Sequence, residues 1–233
     1  VATPSDFGAR STPPSHPELL DWLAWTFMGE GWSHKKLHRH MVLSSTYMQA
    51  SLDRPAARVA DPENRLYWRA NGRRLDLEAM RDSCLLISGR LDRTVGGRPV
   101  DIVNDPKNAR RTVYGLVDRQ SLPGLFRSFD FAVPDQSVER RPLTTVPQQA
   151  LFGLNAPFMA EQAKALAART DKLEGEARTR QLYRLALARE PAPAELQVAQ
   201  RFITDAPDKA SQLDAWQRFA QVLLLTNEAI FVD

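Results

Sequence analysis

The chain has 233 residues, 43% of them hydrophobic and 25% charged, with a formal charge of +3 and an isoelectric point near 9.2. These are ordinary values for a soluble globular domain, enough for one large or two small cores. The single cysteine, Cys84, excludes an internal disulfide and a cysteine-paired zinc site, and no run reaches the roughly 18 to 20 apolar residues of a membrane span.

The opening, VATPSDFGARSTPPSHP, is rich in Pro, Ser, Thr and Gly and reads as a linker over residues 1–14 entering a single helical domain over residues 15–233. No signal peptide is written there, so an export signal is expected to lie upstream. Pro17 suits a first helical turn, and Leu19, Trp22, Leu23, Thr26 and Phe27 follow at helical spacing up to Gly29 and Gly31. Ser33 is a good N-cap for a second helix running to about Ala50, with Leu37, Met41 and Met48 on its apolar face. The two should form a helical hairpin.

Asp61, Pro62 and Glu63 predict a short helix through Trp68, and Leu77, Met80, Cys84, Ile87 and Leu91 mark one face of a longer one. Cys84 inside that stripe is expected to be a buried, inert thiol. Residues 93–145 change character, with Gly96-Gly97 and Pro99, Pro106, Pro123, Pro134 and Pro142, and only runs such as residues 112–117 have the composition of a strand. A long irregular middle follows, and loops of that length are uncommon unless they bind something or lie against a partner. Helices are expected again over residues 146–233: one from Thr145 and Pro147, one broken off by Pro157, and three marked by Leu182 with Leu185, Leu196 with Ala199, and Trp216 with Ala220. Pro191 with Pro193, and Ala206-Pro207-Asp208, separate the last three. The fold class is therefore mainly α, an irregular multi-helix domain with a Pro/Gly-rich middle and at most a few short strands.

His34 and His38, spaced i, i+4, have the geometry that can place two imidazoles on one metal, but the wheel turns both toward the packed face and no Glu follows as in zinc proteases. They read first as histidines in or near the core, and no metal is assigned. Arg111 and Arg141 could hold an anion bidentately, or pair with nearby carboxylates. There is no GxSxG elbow and no phosphate-binding loop. The basic excess is scattered through Arg73-Arg74, Arg110-Arg111 and Arg140-Arg141 rather than gathered on one face, so nucleic acid is not an expected partner.

The runs HPELLDWLAWTFMGEGWSHKKLHRHMVLSSTYMQAS, NGRRLDLEAMRDSCLLISGRLDRTVGG, ARRTVYGLVDRQSLPGLFRSFDFAVPD and RRPLTTVPQQALFGLNAPFMAEQA, with LYRLALAREPAPAEL and LLLTNEAIFVD near the end, resemble a planctomycete surface-protein domain of unknown function. In that family the domain lies C-terminal in chains that often begin with a cytochrome c domain. The resemblance implies an extracytoplasmic, multidomain protein whose haem sits in a separate upstream domain; no CxxCH occurs here, so no cofactor is expected in this segment. It implies upstream domains of the same chain as partners, with polysaccharide as a further one. Two functions follow: a non-catalytic scaffold or interaction module, or a contribution to an active site acting on polysaccharide. For the second, His34, His38, Arg73, Arg111 and Arg141 are the residues to test.

Overall fold

The computed structural model describes residues 5–6, 8–9, 11–205 and 212–232, and the chain forms two compact units, one running up to Arg73 and one spanning Arg74–Val232. Of the expected entry linker, residues 1–4, 7 and 10 lie outside the described residues, as does the Ala206-Pro207-Asp208 separator. The fold is mainly α. Among the described residues there are eleven α-helices and one two-stranded sheet, of β1 (Arg73–Arg74) with β2 (Phe231–Val232).

In the first unit, α1 (Pro17–Gly29) starts with Pro17 at its first turn, where the missing N–H costs nothing. It ends as Gly31 and Trp32 take left-handed φ values of 74° and 60°. Ser33 caps α2 (His34–Val42), its hydroxyl accepting from the Lys36 N–H. That helix stops eight residues short of Ala50. The Ser44 hydroxyl donates to the Met41 carbonyl at 2.7 Å and accepts from the Tyr47 N–H, local bonds that compete with helix continuation.

α3 (Pro55–Ala60) occupies the stretch before Asp61, and the helix expected from Asp61 to Trp68 does not form. The Asp61 carboxylate instead accepts from the Arg65 and Leu66 N–H groups at 3.0 and 2.7 Å, while Asn64 and Tyr67 adopt left-handed φ. Asn64 is the only buried residue described in this unit, and its amide donates to the Arg69 carbonyl and to Asn71 Oδ1.

The second unit has a conventional core. α4 (Leu77–Ile87), capped by Asp76, precedes the irregular middle with its short α5 (Gly124–Ser128). Then come α6 (Pro147–Asn155), α7 (Pro157–Ala168), α8 (Gly175–Leu187), α9 (Pro193–Thr204), α10 (Ala215–Leu224) and α11 (Asn227–Ile230). Phe158, Met159 and Leu166 of α7 pack with Cys84 and Leu85 of α4, Leu182 of α8, and Phe219 and Leu223 of α10. Leu77 and Met80 form a second cluster with Ile102, Leu122, Phe126 and Phe129 from the middle. α4 is thus apolar on one stripe over its full length and joins both clusters.

Residues 112–117 do not form a strand; Thr112–Tyr114 make a 3-10 turn followed by an isolated bridge between Val100 and Gly115. The cause is Asp82, whose Oδ1 accepts from both the N–H and the hydroxyl of Thr112 at 2.7 Å each, drawing the chain toward α4. A partly buried ion pair between Arg74 and Asp130, 3.3 Å apart, fixes a second part of the middle, and Asp130 also accepts from the Thr144 N–H and hydroxyl.

Candidate functional site

The polar face of α4 gathers two of the residues named from the sequence. Glu78 and Asp82 are one turn apart; Arg141 Nη1 donates to both oxygens of Glu78 at 2.9 and 3.0 Å, and Arg111 Nε donates to Asp82 Oδ2 at 3.0 Å. The Arg141 guanidinium also lies 4.5 Å from the Phe131 ring centroid. Both arginines therefore pair with carboxylates, the alternative that their spacing left open.

Beside this face is an open groove of about 660 Å³, lined by Asp76, Asp82, Ser83 and Arg111 together with Leu86 and Val113. Its acidic groups are already occupied: Asp76 caps α4, and Asp82 holds Arg111 and Thr112.

One functional-looking side chain escaped the sequence reading. Arg81, 1% exposed, sits within the apolar stripe of α4, and donates Nη1 to the Arg110 carbonyl at 2.8 Å and Nη2 to the Asn108 carbonyl at 2.6 Å. Its guanidinium lies over Phe158, 4.8 Å from the centroid. Burial lowers its pKa, an effect opposed by the nearby Asp82 and Asp105. Only its position between Met80 and Cys84 hinted at burial. Cys84 is buried, as its place in the stripe predicts, and desolvation pushes its thiol up to about 12.

His34, His38 and Arg73 belong to the first unit, Arg111 and Arg141 to the second. His34 and His38 are both exposed, which corrects their expected place in the core. Their ring centroids are 6.5 Å apart, and His34 tilts against Phe27 at 5.2 Å. Leu37 is the partly covered position of α2, so the buried side of this short helix is narrower than its wheel implies. Arg73 lies exposed in β1. Among the described residues no group of three or more His, Cys, Asp or Glu is placed to hold a metal.

The hairpin's most distinctive property is apolar exposure. Trp25 is 72% exposed, Trp32 64%, Leu43 59% and Trp22 48%, and neither α1 nor α2 contains a buried residue. His40 Nε2 bonds Glu30 Oε1 at 3.1 Å and meets the edge of Trp22, and Phe27 packs edge-on against Trp32. The periodicity that marked Leu19, Trp22 and Leu23 as one face correctly gave a helix, but it carried no sign that most of this face stays uncovered.

Fold and site together define a mainly α-helical domain with a polar staple on α4 and an uncovered aromatic hairpin. The chain belongs to the PSD1 family, described as a protein of unknown function (DUF1553), which matches residues 1–203. Among curated proteins and among solved structures, nothing matches it. No helix among the described residues is long and apolar enough to cross a membrane.

Proposed function

We propose that this domain is a non-catalytic scaffold or interaction module, in which the second unit is the folded body and the first unit the docking surface. The observation that carries this reading is that the only buried residue described in the first unit is a polar one, Asn64, while three tryptophans of its hairpin stand in solvent. Hydrophobic burial is the main favourable term in folding, and soluble monomers rarely expose contiguous apolar patches beyond a few hundred Å². A segment of this composition gains its missing burial by covering itself with a partner. The setting that the family resemblance suggests is an exported, multidomain polypeptide, with any haem carried on a separate domain.

The test is dye binding and fluorescence on the purified chain. It should enhance the fluorescence of an apolar-surface dye, and Trp25→Ser with Leu43→Ser should remove most of that signal without changing the far-ultraviolet circular dichroism. A chain that binds no dye, with all its tryptophans shielded from a neutral quencher, would overturn the reading.

A further inference from the structure

We propose that the occupant of this docking surface is a second copy of the chain: two α1–α2 hairpins pack into an antiparallel four-helix bundle, with α1 of each copy lying on α2 of the other. The proposal rests on the docking reading above and names its partner. Its first support is charge. α1 carries Glu18 and Asp21 and no base, whereas α2 carries Lys35, Lys36 and Arg39 and no carboxylate. Within the hairpin Glu30 hydrogen-bonds His40, and Glu18, Asp21, Lys35, Lys36 and Arg39 have no ion-pair partner among the described residues. An acidic, mostly apolar helix beside a basic helix that adds Leu37, Met41 and Val42 makes a surface whose charges are complementary to those of a second copy.

Symmetry turns that property into a geometry. A two-fold axis parallel to the helices exchanges left and right in the hairpin layer, so α1 faces the partner's α2 and every neighbouring pair runs antiparallel. The arrangement places Glu18 and Asp21 opposite the partner's basic helix twice over, and no like charges are forced together. Other in-plane orientations of the two-fold bring α1 against α1, acid on acid.

The second support is area. Trp22, Trp25, Met28, Leu19, Met41 and Leu43 are each between 44% and 72% exposed. Aromatic side chains carry about 150–250 Å² each. Two indoles and four aliphatic side chains therefore supply an apolar area of the order that a standard interface takes from each partner, about 800 Å². His34 and His38 on α2 and His40 beside Glu30 are the titratable groups that face this region, together with Glu18, Asp21, Lys35, Lys36 and Arg39.

Sedimentation equilibrium at low ionic strength should give a particle of twice the 26.3 kDa chain mass that dissociates with added salt. Two charge-reversed chains make the decisive comparison: one with Glu18→Lys and Asp21→Lys, the other with Lys35→Glu, Lys36→Glu and Arg39→Glu. Each alone should be monomeric with unchanged circular dichroism, because both of its helix contacts become repulsive. Mixed in equal amounts they should form a heterodimer, since both contacts are then complementary. A wild-type monomer at every concentration, or a dimer indifferent to these reversals, overturns the proposal. A monomer that still binds the apolar dye would sink the second copy as partner but leave the docking surface standing; a monomer that binds none would sink both.

Discussion

Arg81 and Arg110 are joined through the guanidinium of the first and the backbone carbonyl of the second, 2.8 Å apart, and this bond with its twin to Asn108 is how α4 holds the irregular middle. A helix or sheet would satisfy those carbonyls by repetition; a loop needs a side chain to do it. Replacing Arg81 by Met keeps the apolar stem and leaves both carbonyls without their donor. Chemical denaturation should show a loss of about 2–4 kcal/mol, the scale of buried unpaired groups, partly offset because a buried cation is also removed.

Asp82 does the same work from its acceptor side. Asp82→Ala should free the Thr112 N–H and hydroxyl and release Arg111. Amide exchange is expected to accelerate at Thr112 and in the following residues, with the helices of the core unchanged and a stability loss of about 1–3 kcal/mol. Uniform acceleration across the chain would instead mean that the contact supports global stability.

The C-terminal helices carry an acid-sensitive clamp. Arg189 donates to Glu195 at 2.8 Å through both terminal nitrogens and to Glu228 at 2.6 and 2.7 Å. The bonds from Arg189 hold the Glu195 carboxyl at about 2, well below its usual range, and in return raise the Arg189 pKa. Because the folded carboxyl has the lower pKa, its contribution is present above the unfolded value of about 4.3 and is lost as pH falls toward 2. The melting temperature should drop between these limits, and Glu195→Gln should flatten that part of the profile.

Ala188 ends α8 in a left-handed conformation, φ 56° and ψ 23°, where Gly normally serves. Ala188→Gly removes the clash of Cβ with its own backbone but adds unfolded-state freedom. The expected balance is a gain of about 0.5–1 kcal/mol, read from thermal or chemical melts. A loss would show that the Ala188 methyl group makes a contact worth more than the strain.

Cys84 offers a direct probe of opening. With its thiol buried and its pKa pushed up to about 12, it should resist a thiol reagent at pH 8 in the native state and react at once in denaturant. Fast labelling of the native chain would mean that α4 opens from the core readily.

Much of this architecture was legible before folding because it is written in local chemistry. Pro17, Pro147, Pro157 and Pro193 sit at first helical turns, and Ser33 caps where an N-cap is needed, so those helices begin where their residues say. The ends proved harder. Ser44 and Asp61 close off helical continuation with their own side-chain hydrogen bonds, choices that a wheel of apolar positions does not register.

The sequence alone determined the mainly α class, the helical hairpin, the irregular centre and the burial of Cys84, since each depends on neighbours within a few residues. The tertiary structure decided that Arg111 and Arg141 end on Asp82 and Glu78, that Arg81 is buried, and that His34 and His38 are not. These are contacts across tens of residues, settled by which groups the packed helices bring within hydrogen-bond reach. Whether an amphipathic helix finds a cover is likewise a property of the assembled surface, and in α1 and α2 that cover is absent from the chain's own described residues.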